Sequence, residues 1–216
     1  MSFVDIHTHN HFHSEGIIAV RNLSLFEAEQ VKASNESTLV SVGVHPWDAG
    51  NLDDDWNIRL EKICKDKQVT LIGECGLDKN AEASLDTQLD VFSGHIQLSE
   101  TIKKPLIIHC VGCFNELVVL KKKCKPTQRW IVHGFRGKPQ QAQQLLKTGF
   151  DLSFGEKFNA ETVLVTPVEH LLVETDESMM PIGKTYERIA EIKKCKIGEL
   201  NAGEELLRDC FRQLNG

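Results

Sequence analysis

The chain opens on Phe3-Val4-Asp5-Ile6-His7-Thr8-His9, a short apolar run that ends in two histidines. Alternate side chains of a β-strand share a face, so Asp5, His7 and His9 are expected to point the same way. Burying an unpaired polar ring costs on the order of 1–3 kcal/mol, and a bound metal ion would satisfy both imidazoles. The stretch therefore predicts a strand that delivers two metal ligands.

Seven further short runs of apolar or β-branched residues follow the first. They are nearly continuous rather than alternating, which is typical of parallel strands buried on both faces. Amphipathic stretches separate them, and eight strand-helix units in about 200 residues favour a closed barrel over an open doubly wound sheet. The predicted strands are Phe3–Ile6, Gly16–Val20, Thr38–Val44, Val69–Ile72, Pro105–Ile108, Trp130–Val132, Phe150–Ser153 and Leu171–Val173.

The fold predicted from this alternation is an α/β, TIM-like (β/α) barrel, built as a single domain over residues 1–216. The tail Tyr186–Leu214 is predicted to form two helices with a break at Gly198. The other predicted helices are Asp54–Lys67, Leu85–Lys103, Asn115–Cys124 and Pro139–Thr148.

Composition restricts the function classes. The net charge of −6 provides no global positive field, so a polyanionic substrate would have to be met locally. No stretch reaches the ~20 apolar residues of a membrane span, which predicts no membrane association. Seven cysteines in a chain without a signal-peptide layout favour a cytoplasmic protein with reduced thiols. The pair Cys110-Val-Gly-Cys113 has no second CxxC beside it, which disfavours a zinc ribbon or redox site.

Metal-competent side chains recur at the ends of the predicted strands. The active sites of TIM barrels lie at the carboxyl ends of the strands, so these side chains are expected to meet. Beyond His7 and His9, they are Glu74 after Ile72-Gly73, His109 after Ile108, His133 after Val132, and Asp176 soon after Val173.

Four imidazoles and two carboxylates are too many ligands for one catalytic zinc, which takes three protein ligands and a water. Two ions about 3.5–4 Å apart, bridged by Glu74 or Asp176, suit the set better and serve phosphoester or amide hydrolysis. Mixed nitrogen and oxygen ligation fits Zn, Mn, Co or Fe, with Mg possible where carboxylates dominate.

Six ordered motifs resemble the TatD-like metal-dependent hydrolases, over nearly the whole chain. The likeness implies a TIM barrel, a divalent-metal site, and nuclease activity that removes nucleotides from DNA 3′ ends. The motifs are Asp5-Ile6-His7-Thr8-His9, Gly43-Val44-His45-Pro46, Gly73-Glu74-Cys75-Gly76-Leu77-Asp78, Pro105-Leu106-Ile107-Ile108-His109-Cys110, His133-Gly134-Phe135-Arg136-Gly137 and Leu172-Val173-Glu174-Thr175-Asp176.

The resemblance also implies roles for individual residues. His7 and His9 would hold one metal ion and His109 and His133 the other. Glu74 would bridge the two ions, and Asp176 would bind metal and the nucleophilic water. His45 would lie beside the site, as a catalytic and substrate-binding residue.

The chain departs from the family pattern at several places. Only 35 residues separate His9 from His45, which predicts a shortened second βα unit and a barrel that is distorted or one helix short. Lys79 stands where an aromatic residue is usual, and Arg136 replaces a common serine. Arg136 either clamps a substrate phosphate or pairs with a surface carboxylate.

The sequence also leaves alternative roles for three further polar residues. His11 and His13 extend the alternation beyond His9, where they line a loop, face solvent or contact substrate. Lys157 follows the seventh predicted strand and either meets substrate or points outward.

The function predicted is a divalent-metal hydrolase of phosphodiester bonds, a 3′-5′ deoxyribonuclease acting on DNA 3′ ends, with Asp176 and Glu74 in catalysis. One rival is an amidohydrolase that cleaves C–N or ester bonds at the same site, since the fold does not determine the bond. A phosphoesterase of the polymerase-and-histidinol-phosphatase type also opens on Asp-x-His-x-His but uses a larger ligand set. A non-catalytic scaffold is the remaining alternative, and the intact ligand set argues against it.

Overall fold

Eight strands and eight helices make up the part of the chain that the computed structural model describes, residues 3–10, 15–30 and 38–214. The strands are β1 Phe3–Thr8, β2 Ile17–Ser24, β3 Leu39–Gly43, β4 Val69–Asp78, β5 Leu106–Val111, β6 Trp130–Val132, β7 Phe150–Phe154 and β8 Leu171–Val173. The helices are α1 Leu25–Gln30, α2 Trp56–Cys64, α3 Leu85–Ile102, α4 Phe114–Cys124, α5 Pro139–Lys147, α6 Ala160–Val165, α7 Ile182–Lys193 and α8 Ala202–Leu214.

All eight predicted strands are confirmed, and five of them, β1, β2, β4, β5 and β7, continue beyond the predicted last residue. Every residue of β4 and β7 is buried, as expected for strands covered on both faces. β4 continues to Asp78, so Glu74 lies inside the strand and not after it. β5 likewise continues to Val111 and contains His109. The predictions that these two ligands follow their strands were therefore wrong.

Local signals set the helix ends. The Ser84 hydroxyl accepts a hydrogen bond from the Thr87 amide at 3.1 Å, which caps the start of α3. α5 begins at Pro139, whose missing N–H is not needed in a first turn. The predicted pair of terminal helices is confirmed as α7 and α8, and a short 3-10 turn, Ile197–Glu199, occupies the predicted break.

Internal contacts divide the chain into two units, the first formed by residues 1–21 and 131–216 and the second by residues 22–130. In the first unit β1 pairs in parallel with β2, and β7 pairs in parallel with β8. Helices α7 and α8 pack on β1, and the Tyr186 hydroxyl donates to the Val4 carbonyl at 2.9 Å.

The second unit is built on three parallel strands in the order β3-β4-β5. Its core is apolar side chains of β4 and β5 under α3, where the ring centroids of Phe92 and Trp130 lie 5.5 Å apart. The single domain expected over residues 1–216 stays a prediction.

Between β1 and β3 the described residues form β2 and helix α1. The predicted shortening of the second βα unit, and the distorted barrel or missing helix expected from it, depend on residues 11–14 and 31–37, which lie outside the described residues, and stay predictions. The described residues between β1 and β2 form no helix. Among the helices that the structure describes, none has both the length and the apolar character required to cross a membrane.

Candidate metal centre

The first unit brings together three metal-competent side chains from three strands. His7 lies on β1 and is fully buried, His133 directly follows β6, and Asp176 follows β8. One potential ligand atom from each lies within 4.8 Å of the others. We call these three residues the first ligand group. The ring centroids of His7 and His133 are 4.3 Å apart.

Backbone pairing between β1 and the segment after β8 positions Asp176. Its amide donates to the His7 carbonyl at 3.0 Å, and the His9 amide donates to the Asp176 carbonyl at 3.0 Å. Asp176 itself has φ of 56°, a left-handed conformation that aspartate tolerates better than most residues. Its Oδ1 atom lies 3.8 Å from Nε2 of His7 and 3.7 Å from Nε2 of His9. His7 and His9 therefore both lie beside Asp176, and their sharing of one metal ion stays a prediction.

A buried carboxylate supports the first ligand group. Glu174 has no exposed surface, and its Oε1 accepts a hydrogen bond from the Gly134 amide at 2.6 Å while lying 3.6 Å from Nδ1 of His133. Burial favours the neutral acid, yet the adjacent His133 and His7 side chains hold the pKa of Glu174 below its ordinary value. An ionised carboxylate behind an imidazole orients the ring and raises its basicity as a metal ligand.

Asp5 fixes the segment that carries Asp176. One Asp5 oxygen accepts from the Thr175 amide at 2.9 Å and the other from the Thr175 hydroxyl at 2.6 Å. Burial raises the pKa of Asp5 to about 7, although the hydrogen bonds from Thr175 act in the opposite direction. Asp5 is thus a structural partner of the loop rather than a member of the ligand group.

The second unit contains a second ligand group, His45, Glu74 and His109. Its ligand atoms also lie within 4.8 Å of one another. Oε1 of Glu74 is 2.7 Å from Nδ1 of His109 and 3.4 Å from Nε2 of His45. The Glu74 amide donates to Oδ1 of Asn22 at 2.8 Å, which ties the strand at this point. His45 was predicted to lie beside the site as a catalytic and substrate-binding residue, and the structure places it among the potential ligands.

Two residues beside the second ligand group were missed by the sequence analysis, Asp78 and Trp47. Oδ2 of Asp78 lies 3.1 Å from Nε2 of His109 and accepts a hydrogen bond from Nε1 of Trp47 at 2.9 Å. Burial alone would raise the pKa of Asp78, but hydrogen bonds from the Asn80 amide, Trp47 and His109 lower it. Strand alternation puts Glu74 and Asp78 on one face, a signal that only a longer predicted β4 would have revealed.

The donor sets fit divalent metal ions. Each ligand group offers two imidazole nitrogens and a carboxylate, the two-histidine, one-carboxylate combination found in catalytic zinc sites and in other transition-metal sites. Both groups are backed by a further carboxylate, Glu174 in the first unit and Asp78 in the second. A supporting shell of this kind is characteristic of metal-binding histidines.

The other predicted site residues have different surroundings. Arg136 and Lys157 are exposed and line a pocket of about 210 Å³ that Asp176 also lines. His11 and His13 lie outside the described residues. Burial raises the pKa of the Cys110 thiol to about 12, the opposite of an activated redox thiolate.

The family of this chain follows from comparison with known proteins. The family model described as TatD related DNase matches residues 6–202. The chain belongs to this family. The matched range contains both ligand groups and ends at the first residue of α8, so membership of the TatD family covers the whole candidate site.

Curated relatives of the TatD chain carry two kinds of name. An uncharacterized metal-dependent hydrolase of Buchnera aphidicola is 32% identical over 154 residues, which are 66% of this chain and 57% of the relative. A 3'-5' ssDNA/RNA exonuclease TatD of Cronobacter sakazakii is 30% identical over 166 residues, 71% of this chain and 63% of the relative. The matches thus span only about three-fifths of the length of these relatives.

Solved structures establish the fold. The TatD homologue YJJV of Escherichia coli matches with a TM-score of 0.80 and 18% identity, covering 98% of this chain and 97% of that one. A dihydroorotase matches with a TM-score of 0.65 and 12% identity, covering 96% and 72%. The predicted fold class, a TIM-like (β/α) barrel, is confirmed.

Proposed function

We propose that this TatD-family chain is a divalent-metal-dependent hydrolase of phosphodiester bonds, acting as a 3′-5′ deoxyribonuclease on DNA 3′ ends. The observation that carries the proposal is the pair of ligand groups, each with two imidazoles and one carboxylate whose ligand atoms lie within 4.8 Å. The exonuclease named among the relatives supports the choice of a nucleic-acid substrate.

In this proposal the first ligand group holds one ion and the second ligand group another, with His9 contributing beside His7. Zn, Mg and Mn are the candidate metals, since histidine and carboxylate ligation accommodates all three to different degrees. Divalent ions bound there would lower the pKa of water and stabilise negative charge on phosphoryl oxygens. The bridging role of Glu74 stays a prediction, as does the pairing of His109 with His133 on one ion, which is the alternative to this division of the ligands.

The chain's own residues would handle protons and position the substrate. Asp176 presents Oδ1 within 3.8 Å of His7 Nε2 and can accept a proton from an attacking water. His45 is held as a hydrogen-bond acceptor through Nδ1, which receives the Trp47 amide at 3.2 Å. In the neutral ring Nε2 then carries the proton, faces Glu74 and can donate to a phosphoryl oxygen, in which case Glu74 and His109 hold the ion of the second ligand group without His45.

The amidohydrolase alternative is the nearest rival, because the dihydroorotase likeness concerns the same fold. In the wider amidohydrolase group a carbamylated lysine commonly bridges two ions. The ligand groups found among the described residues include no lysine, and Glu74 stands in the corresponding role by family resemblance. This favours the nuclease over the amidohydrolase.

The decisive experiment assays the Mg-, Mn- and Zn-loaded protein against single-stranded DNA labelled at its 5′ end, a generic phosphodiester, and a panel of amides and esters. A 3′-5′ exonuclease should shorten the labelled strand stepwise from its unlabelled end. Hydrolysis of amides alone would overturn the proposal.

Two variants complete this assay. Asp176→Asn removes the proton acceptor and should reduce turnover by about two to four orders of magnitude, the usual contribution of general-base catalysis. Glu161→Gln, an exposed carboxylate of α6, is the matched control and should retain full activity. Equal activity of Asp176→Asn and the wild type would refute the role of Asp176.

A further inference from the structure

A pocket in the first unit adjoins the first ligand group. About 210 Å³ in volume, it shares Asp176 with that group and has two cationic side chains in its lining. Its lining combines glycines, carboxylates, small polar residues and the two cations: Gly134, Arg136, Gly155, Glu156, Lys157, Glu174, Thr175, Asp176, Glu177 and Ser178.

The two cations have no partner in the part of the chain that is described. Neither Arg136 nor Lys157 makes an ion pair or a side-chain hydrogen bond with a described residue. Of the two alternatives that the sequence left open for Arg136, pairing with a neighbouring surface carboxylate is therefore not observed. Unpaired cations beside a pocket are available to an anionic ligand.

The carboxylates of the pocket are largely engaged elsewhere. Glu156 accepts a hydrogen bond from the Ser178 hydroxyl at 2.5 Å. Glu174 accepts from the Gly134 amide and lies behind His133. Asp176 belongs to the first ligand group, whose bound ion would offset its charge. The remaining carboxylate of the lining is Glu177, which is exposed and whose charge would repel an anion.

The pocket wall is open where glycine replaces a side chain. A Cβ at Gly134 or Gly155 would meet nothing nearer than 3.6 Å, the side chain of Glu174 in both cases. A ligand can therefore approach the backbone at both positions. Gly134 also has φ of 56°, so a larger residue there would be strained as well as intrusive.

We propose that Arg136 and Lys157 form an anion subsite that binds a backbone phosphate of single-stranded nucleic acid, next to the phosphodiester that is cleaved. The guanidinium offers a planar fork for two phosphate oxygens and the lysine a compact charge. The inference rests on the proposed nuclease function for the identity of the ligand.

Direct binding tests the subsite without requiring catalysis. The probe is a fluorescent single-stranded DNA with phosphorothioate linkages throughout, which resists cleavage, titrated into Mg-loaded protein and followed by anisotropy. Arg136→Gln should weaken binding about tenfold and Lys157→Gln several-fold, and each should reduce the salt slope by about 0.7–1, as expected for one lost phosphate contact. Arg136→Lys should fall between Arg136→Gln and the wild type.

Lys147→Gln is the matched control, because it removes the same charge from the last turn of α5, about 12 Å of helix beyond Pro139. It should bind within twofold of the wild type. If Arg136→Gln, Lys157→Gln and Lys147→Gln weaken oligonucleotide binding equally, the effect is due to net charge alone and the subsite is overturned. Affinity unchanged by Arg136→Gln and Lys157→Gln would overturn it too, as would a wild type that binds no oligonucleotide.

The same variants separate failure of the subsite from failure of the proposed function. In kinetics, Arg136→Gln should raise KM for an oligonucleotide and leave kcat nearly unchanged, since the lost contact is made equally in ground and transition states. With bis(p-nitrophenyl) phosphate, which has no neighbouring phosphate, the rise in KM caused by Arg136→Gln should be smaller than with the oligonucleotide. If no phosphodiester is cleaved but binding still depends on Arg136 and Lys157, the function fails and the subsite stands.

Discussion

The imidazole of His109 lies between two carboxylates, with Nδ1 2.7 Å from Oε1 of Glu74 and Nε2 3.1 Å from Oδ2 of Asp78. Asp78 is held in place by Trp47 and by the Asn80 amide, which donates to Oδ1 at 2.8 Å. Since Glu74 belongs to the second ligand group and Asp78 does not, the ring presents Nδ1 toward the ligands and Nε2 to a supporting acid. Asp78 is therefore a positioning residue that acts through His109.

Replacing Asp78 with asparagine should weaken metal binding while leaving the fold intact. The amide keeps the shape of the side chain but cannot match a carboxylate as acceptor for the His109 N–H. Loss of such a supporting carboxylate typically costs about 10–100-fold in metal affinity or activity. Titration calorimetry with Zn²⁺ on the metal-free protein measures the affinity, and circular dichroism checks the fold. Kinetics should show reduced kcat with little change in KM.

Asp90→Asn is the control for this substitution, because Asp90 is an exposed residue of α3 in the same unit. It should bind Zn²⁺ with the affinity of the wild type. Should Asp78→Asn do the same, the carboxylate would have no role in orienting His109.

The sequence predicted the ligands better than their supports. His7, His109 and His133 stand at the ends of apolar runs, where local pattern alone indicates a strand and its polar terminus. Asp78 was missed because the predicted strand ended at Ile72, immediately before Gly73. In the structure β4 continues through Gly73 and Gly76, where the backbone of β5 comes too close for a side chain.

Contacts between distant parts of the chain were also beyond sequence reasoning. Thr8 and Asp176 form an isolated parallel β-bridge although they are 168 residues apart in the chain. The Thr8 hydroxyl also donates a hydrogen bond to the Asp176 carbonyl. Nothing local indicates that Asp176 takes a left-handed conformation or that its amide finds the His7 carbonyl. The barrel topology predicted that these strand ends meet, but not which atoms do so.

Metal content should separate the two ligand groups. If each holds one ion, elemental analysis of the purified holoprotein should give about two ions per chain, the number typical of such sites. His133→Ala, in the first ligand group, and His109→Ala, in the second, should each lower the content by about one ion. If Glu74 bridges the two ions, Glu74→Gln should lower the occupancy of both metal positions.

His170→Ala provides the control for metal content. His170 is a partly exposed histidine that lies 2.7 Å from Asp151 and belongs to neither ligand group. This variant should keep the full metal content of the wild type. A wild-type content of one ion per chain, unaffected by one of the two ligand substitutions, would contradict two separate metal positions.

Gly76→Ala should be among the most destabilising single-methyl substitutions in the chain. A Cβ at this position would lie 2.1 Å from the carbonyl oxygen of His109, and the residue has φ of 142°. Backbone atoms cannot move aside cheaply, so the free energy of unfolding should fall by about 3 kcal/mol or more. Urea denaturation measures the change.

Gly50→Ala is the matched control, because a Cβ there meets only Ala83, at an ordinary 3.6 Å. Its stability should stay within about 1 kcal/mol of the wild type. A small effect of Gly76→Ala, comparable with that of Gly50→Ala, would mean that β4 and β5 separate more easily than their close approach indicates.

His95 makes the stability of the second unit dependent on pH. The ring is fully buried on α3, where Nε2 accepts a hydrogen bond from the Val44 amide at 3.0 Å and Nδ1 lies 2.8 Å from the Val91 carbonyl. Burial lowers the pKa of His95 from 6.5 to about 4. The neutral tautomer, with its proton on Nδ1, satisfies both neighbours, whereas an imidazolium would lose the bond from Val44.

Acidification should therefore destabilise the protein through His95. Above pH 6.5 the histidine is neutral in both the folded and the unfolded chain, so the stability is fully present. Between pH 6.5 and 4 the unfolded chain binds a proton that the folded one excludes, and the free energy of unfolding falls as pH falls. The loss from this group should approach about 3 kcal/mol at pH 4, at 1.36 kcal/mol per pKa unit.

The variant His95→Gln tests this prediction, because glutamine keeps an acceptor and a donor without titrating. In urea denaturation from pH 7.5 to 4, the free energy of unfolding of the variant should rise relative to that of the wild type by that amount. A difference in free energy of unfolding that stays constant across this pH range would refute the assignment to His95. If the variant does not fold, the pKa of His95 can be measured by NMR titration of the wild type. A titration midpoint near 6.5 would then refute the assignment.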